Sequence, residues 1–222
     1  QRRNGFLILF QPVIEFLTTS VYKFTPMNKS ISQIRGYILA GGKSSRMGED
    51  KGLKQFNGKA LVQTVIDQMQ KAMDEVVIVS NNPDYKQLGL AVIEDEIKNI
   101  GPAGGIYTAL RHSKSEKIFV VSCDMPFITC DAISFLMKKS KDKDITLPEK
   151  DGKLEPLFGV YSKALLSQWK SLIEKDCIKL HQMVKKFDLK IINVTGKSIF
   201  PDYLFSNINT PVEFTHALNS LH

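Results

Sequence analysis

The stretches "EVVIVS" (75–80) and "KIFVVS" (117–122) hold unbroken apolar runs of strand length. A strand with one face in water alternates apolar and polar residues, whereas a strand covered on both faces reads as a continuous Val/Ile/Leu run. Each of these runs therefore asks for packing on both sides, and the segments between them have the pattern to supply it. "KALVQTVIDQMQKAM" (59–73) sets Leu61, Val62, Val65, Ile66, Met69 and Met73 at helical spacing. "RGYILA" (35–40) and "LAVIED" (90–95) read as further strands, with "NNPD" as the turn before the latter. "GPAGG" (101–105) opens a helix through "IYTALRHS", and 131–139 reads as another. The order β-α-β-turn-β-α-β-α-β predicts an α/β fold, a doubly wound, mostly parallel sheet with helices on both faces. "KDITLP" and "LFGVYS" add two strands. Helices over 163–174 and about 178–187, a strand "KIINVT" and a last helix from Pro211 complete the pattern.

The 222 residues suffice for one large domain or two small ones. A net charge of +7 suits an anionic ligand such as a nucleotide or nucleic acid. Basic residues interleaved with aromatics are absent, which argues against nucleic acid. Three cysteines, Cys123, Cys130 and Cys177, do not make a disulfide framework or a zinc site, and reduced thiols in a cytoplasmic protein are the expectation. No apolar run has the length of a membrane span. The nearest, "FLILFQPVIEFL" (6–17), is interrupted by Pro12 and Glu15. Arg2 and Arg3 before it imitate a signal peptide, but no clear small-residue cleavage site follows. Met27 begins "MNKSISQIRGYILAGG", so residues 1–26 are expected to be an upstream extension. The expected division is an N-terminal extension over 1–33 and a single domain over 34–222.

In sheets of this kind ligands bind beyond the carboxyl ends of the strands, near a topological switch point. Three unusual loops fall at such ends: 41–52, 95–105 and 123–129. The first lies within "LAGGKSSRMGEDKGL" (39–53). Gly41 and Gly42 permit a tight turn and close backbone approach to a ligand, and backbone N–H groups there can cradle phosphate oxygens. Arg46 and Lys51 can reach the same anion, the first as a fork and the second as a point charge. Both would stabilise charge developing on a departing pyrophosphate. The loop is not a Walker A motif, because Gly48 is followed by Glu49, and without G-x-G-x-x-G a dinucleotide site is not expected.

Asp124 follows "IFVVSC" at a strand's carboxyl end. It reads either as a hard oxygen ligand for Mg²⁺ or as a cap for the following turn. Asp95 reads as a ligand contact or a surface carboxylate. Cys123 has no histidine placed to activate it and is expected to be a small buried residue. His112, His181, His216 and His222 lack metal-ligand spacing. Met47 is expected to pack under the loop, Trp169 to be core, and "KKSKDKD" (138–144) to be a solvated helix end.

"LAGGKSSRMGEDKGL" resembles the signature of the nucleotidyltransferase superfamily typified by sugar-nucleotide pyrophosphorylases. In its "LAGG…RMG.DKGL" form it is similar to the molybdenum cofactor guanylyltransferase family. The likeness continues in "VIEDE" (92–96), "GPAGGI" (101–106), "SCDMPFI" (122–128) and "FSNINTPVEF" (205–214), so it spans about residues 34–221. The resemblance implies a fold of the nucleotide-diphospho-sugar transferase type. It implies transfer of GMP from GTP to molybdopterin, with Mg²⁺ as cofactor and pyrophosphate as leaving group. On that reading Leu39, Ala40 and Gly41 line the guanine nucleotide, and Asp95 binds it too. Lys51 meets its phosphates, Asp124 holds the Mg²⁺, and Asn207 and Asn209 lie toward molybdopterin. Lys51, Arg46 and Asp124 form the catalytic set. Many members carry an Asn directly after the second strand; here the sequence is "VSNN", so the base contact falls to Ser80, Asn81 or Asn82. Transient contact with molybdoenzyme maturation proteins is also implied, with no membrane or nucleic-acid partner. A CTP-dependent molybdopterin transferase, a sugar-phosphate nucleotidyltransferase and a non-catalytic nucleotide-binding protein are the alternatives.

Overall fold

The computed structural model describes residues 34–41, 50–56 and 59–206, the side chains of Lys51 and Phe56 excepted. The expectations for residues 1–33, Gly42, Arg46, Met47, the Lys51 side chain, Asn207, Asn209, His216, His222 and the helix from Pro211 lie outside them.

In chain order the strands are β1 (Ile34–Leu39), β2 (Gln55–Phe56), β3 (Lys59–Ala60), β4 (Val76–Val79), β5 (Ala91–Ile93), β6 (Lys117–Ser122), β7 (Ile145–Lys150), β8 (Lys153–Leu154), β9 (Phe158–Ser162) and β10 (Leu189–Asn193). The helices are α1 (Leu61–Ala72), α2 (Pro102–His112), α3 (Cys130–Lys139), α4 (Leu166–Glu174) and α5 (Leu180–Met183). The main sheet has the order β10-β7-β9-β6-β1-β4-β5, with β8 paired to β7, and β2 and β3 form a separate hairpin. The central strand β1 is parallel to both neighbours, with Leu39 opposite Val79 on one side and Ser122 on the other. β5 continues in parallel outside β4.

Alternate residues of the central strands serve opposite faces, as pleating requires. Ile38, Ile78, Phe119 and Val121 join the core under α1 and α3. Tyr37, Val77, Val79, Ile118 and Val120 join the core under α2 and α4. Both faces are covered, which is why these strands carry no polar alternation. Trp169 is fully buried in the second core, where its indole N–H donates to the Ala103 carbonyl at 3.0 Å. This bears out its assignment to the core.

Three details depart from the sequence expectation. β9 is antiparallel to β6 and β7, because the seven residues between β7 and β9 are too few for a crossover. The segment after "VSNN" is a 3₁₀ helix, Pro83–Leu88, with Asn82 Oδ1 accepting from the Asp84 N–H at 3.0 Å. The expected helix at 178–187 shrinks to α5 and a 3₁₀ turn, Val184–Lys186. Phe187 leaves that turn with extended backbone to stack on Trp169, ring centroids 5.5 Å apart. The charged run after α3 is tied down where the Lys117 amine donates to the carbonyls of Ser140 and Lys141, and again where Lys143 pairs with Asp188 at 3.0 Å.

Candidate active site

The chain winds from β1 outward through β4 to β5, then returns to place β6 on the other side of β1. That reversal is the switch point where open α/β sheets bind ligands. A cleft of about 850 Å³ lies there, lined among others by Leu39, Ala40, Gly41, Ser80, Asn81, Asp95 and Asp124. The sheet's hydrogen bonding runs on past the strand ends and fixes the first residue of each loop. Ala40 N–H donates to Val79 O (2.9 Å), Ser80 N–H to Ile93 O (2.9 Å) and Cys123 N–H to Leu39 O (3.1 Å). Leu39–Gly41, Asp95 and Asp124, singled out in the sequence on three separate loops, thus come together on one cleft.

Two of these groups are unsatisfied. Asp95 Oδ1 and Asp124 Oδ1 are buried atoms without a hydrogen-bond partner, two of only four such atoms among the described residues. A buried polar atom left unpaired costs stability, so a functional reason is expected where two share one cleft. Burial raises the Asp95 carboxyl above its ordinary pKa, against the pull of the Asn81 amide and Lys98. Asp95 and Asn81 exchange two bonds: the Asn81 amide nitrogen donates to Asp95 Oδ2 (3.3 Å), and Asp95 N–H donates to Asn81 Oδ1 (3.1 Å). Asp124 does not cap the next helix. α3 begins at Cys130, and Thr129 Oγ1 is its cap, accepting from the Ala132 N–H at 3.2 Å.

The three candidates for the base contact all line the cleft and differ in what their polar atoms already hold. Ser80 is buried, and its hydroxyl accepts from Asn82 N–H at 3.1 Å. Asn82 is spent on its helix cap and on Asp50, whose Oδ2 receives the Asn82 amide at 3.1 Å. Asn81 alone stands paired with Asp95 on the open side of the cleft.

The floor of the cleft on the α2 side is the helix start. Gly101 precedes it at φ +67° and ψ −150°, a conformation that only glycine adopts readily, and no side chain caps the first turn. The positive end of the helix dipole there suits an anionic ligand. Lys98, Asn99 and Asp50 also line the cleft and went unnoticed in the sequence. Lys98 and Asn99 fall in a loop already marked as unusual, and Asp50 stands inside the quoted glycine-rich motif.

The remaining tempting residues have structural roles. Cys123 is buried, and desolvation pushes its thiol up, so it is held as the neutral thiol. His112 shares a 2.9 Å hydrogen bond with the Tyr37 hydroxyl, away from the cleft. No group of three or more His, Cys, Asp or Glu is arranged for a metal among the described residues. No helix among them is long and apolar enough to cross a membrane.

Comparison with known proteins gives a consistent picture. A family profile described as "MobA-like NTP transferase domain" matches residues 36–188. A "probable molybdenum cofactor guanylyltransferase" of Flavobacterium johnsoniae is 35% identical over 178 residues, which cover 80% of this chain and 92% of that protein. One of the same description from Carboxydothermus hydrogenoformans is 32% identical over 187 residues, covering 82% and 93%. The crystal structure of "molybdopterin-guanine dinucleotide biosynthesis protein A" from Archaeoglobus fulgidus superposes with a TM-score of 0.70 at 24% identity, covering 85% of this chain and all of that one. At that identity the superposition speaks for the fold.

Proposed function

The chain belongs to the MobA-like NTP transferase family, and on that premise we propose that it transfers GMP from GTP to molybdopterin, forming molybdopterin guanine dinucleotide and releasing pyrophosphate. The observation that carries this reading is the pair of unpaired carboxylate oxygens, Asp95 Oδ1 and Asp124 Oδ1, on one cleft at the switch point.

Asn81 and Asp95, paired with each other, are read together as the nucleotide's base contact. An ionised carboxylate only accepts hydrogen bonds. The Watson–Crick edge of guanine offers it adjacent ring N–H and amino donors, where cytosine and adenine offer an amino group alone. A site built to receive such donors rejects bases that lack them, because its own acceptor is then left unpaired. Asn81, held to Asp95 by two hydrogen bonds, fixes the carboxylate's orientation.

Asp124 is read as the Mg²⁺ ligand, and its free buried oxygen fits that ion. Mg²⁺ usually takes one or two carboxylates, the rest of its shell coming from substrate phosphates and water, so a cluster of three protein ligands is not required. When bound, the ion supplies charge neutralisation at the phosphates. The acceptor's phosphate oxygen attacks the α-phosphorus in line, a new P–O bond forms, and the bond to the bridging oxygen breaks as pyrophosphate departs. That attacking oxygen is already deprotonated near neutral pH, so no general base is needed, in keeping with a described cleft lining that contains no histidine. Arg46 and Lys51 are assigned to the phosphates, Leu39–Gly41 to the nucleotide, and Asn207 and Asn209 to the molybdopterin side. Catalysis on this reading is positioning plus charge stabilisation.

The test is pyrophosphate release by the purified protein with molybdopterin, Mg²⁺ and each common nucleoside triphosphate in turn. Release with GTP alone is the expected result. Release with CTP makes the enzyme a cytidylyltransferase, release with a sugar phosphate in place of molybdopterin changes the acceptor, and nucleotide binding without turnover overturns the catalytic reading.

A further inference from the structure

A third carboxylate on the cleft differs from the other two. Asp50 takes three hydrogen bonds from the protein itself. Its Oδ1 accepts from the Tyr85 hydroxyl at 2.6 Å and from the Gly52 N–H at 3.0 Å, and its Oδ2 accepts from the Asn82 amide at 3.1 Å. The Asp50 carbonyl also accepts from Leu53 N–H at 3.2 Å. These bonds close the 3₁₀ turn Lys51–Leu53. Tyr85 is fully buried, and burial together with the neighbouring Cys123 and Asp50 raises its phenol far above the ordinary value, so it stays a donor. The turn is also seated from below. A Cβ on Gly52 would collide with the Tyr85 hydroxyl and crowd Cys123 Sγ, the residue next to Asp124. The turn that carries Lys51 is therefore in contact with the segment after β4 and with the Asp124 loop through one small cluster.

We propose that Asp50 and Tyr85 are positioning residues: a carboxylate–phenol clamp that sets the backbone of Lys51 relative to Asp124. This rests on the assignment of Lys51 to the nucleotide's phosphates. Three of the roughly four acceptor positions of this carboxylate are taken by protein donors, which leaves it less to offer an ion than Asp95 or Asp124. Its value lies in holding donors from two elements, the 51–53 turn and the segment after β4, in one geometry. Placement of a charged group at a reacting phosphate is worth orders of magnitude in rate, and loosening its support loses part of that.

The test is a double-mutant cycle between Asp50→Ala and Lys51→Ala, read both as kcat for pyrophosphate release and as Kd for GTP. Each single variant is expected to lower kcat by about tenfold or more. If Asp50 acts through Lys51, adding Asp50→Ala to Lys51→Ala costs no more than about twofold further in either readout, because the lysine it positions is already gone. Tyr85→Phe removes one oxygen and is expected to give a smaller loss that is likewise suppressed in the Lys51→Ala background. It carries the same cycle should Asp50→Ala fail to fold. Losses that multiply in both readouts overturn the clamp. So does an Asp50→Ala protein of wild-type rate and affinity. Absence of turnover in the wild type instead overturns the proposed reaction, and the Kd cycle then still decides the clamp.

Discussion

Replacing Asp124 by Asn separates a metal ligand from a structural carboxylate, because the structure assigns the competing structural task to another residue. Thr129, not Asp124, caps α3. Asp124 Oδ1 makes no hydrogen bond, so the substitution breaks none there. The shape is retained, one buried charged oxygen becomes a neutral amide atom, and stability is expected to change by no more than about 1 kcal/mol in either direction. The effect on rate is of another size. Removing one preorganised group that stabilises transition-state charge costs about 10²–10³ in kcat, or about 2.7–4 kcal/mol. Loss of an anionic oxygen should also raise the Mg²⁺ concentration at half-maximal rate by at least about tenfold, the scale seen even for groups that only support a metal ligand. Both proteins are assayed for pyrophosphate release across a Mg²⁺ titration, with melting temperatures measured in parallel. A variant with wild-type kcat and the same half-saturating Mg²⁺ would refute the assignment. A fall in activity matched by a fall in melting temperature would point to folding instead.

Asp95→Asn is expected to weaken GTP binding while stabilising the nucleotide-free protein near neutral pH. Burial raises the folded-state pKa of Asp95, so its contribution to stability is present in full below the unfolded value and is lost as pH rises through the folded value. The variant's advantage in melting temperature should accordingly shrink as pH falls toward and below that range, and an advantage independent of pH would contradict it. Trp169→Phe removes the bond to the Ala103 carbonyl and some packing, and is expected to cost about 1–2 kcal/mol by denaturant midpoint with GTP affinity unchanged. Lys150 is buried, with its amine on the Phe200 carbonyl (2.7 Å) and on Asp202 (2.8 Å). Lys150→Ala should cost about 1–2 kcal/mol and speed proteolysis around residues 200–206, chiefly through the Phe200 carbonyl left without its donor.

The central sheet was legible because covering both faces removes the polar alternation, and only a parallel α/β sheet buries so many short strands that way. The antiparallel β9 was legible in principle, from the short link after β7, but demanded counting residues and not reading hydrophobicity. The hairpin of β2 and β3 was missed although Asn57-Gly58 is a strong hairpin signal, because strands of two residues leave no periodicity. At the site, Asp95 and Asp124 were visible as acidic residues ending apolar runs. Asp50 was not, because its partners Tyr85 and Asn82 lie more than thirty residues away and only the fold brings them to it. Nor could sequence show how Ser80, Asn81 and Asn82 differ, since burial of the first and the bond from the third to Asp50 are tertiary facts.

The three cleft carboxylates divide the work of the site by how their lone pairs are used. Asp50 takes three protein donors, so its bonds add to the stability of the folded chain. Asp95 and Asp124 each keep one buried oxygen unpaired, which costs stability in the absence of a ligand that supplies donors or positive charge. A site that leaves acceptors open in this way stores part of its affinity as unfavourable energy of the empty protein, and binding relieves it. The same reasoning explains why the open groups and the protein-bonded one are neighbours. An unpaired carboxylate would turn toward solvent unless its backbone were fixed, and the extended ladder at Ala40, Ser80 and Cys123, with the cluster at Tyr85 beneath, fixes it. Nucleotide that binds the folded state alone should raise the melting temperature no more than the same affinity would in a cleft whose polar groups were already paired. Since ligand stabilisation depends on concentration and Kd and not on its source, the stored energy is to be sought in the apo protein, as the gain in stability of Asp95→Asn, and not in the ligand-induced shift.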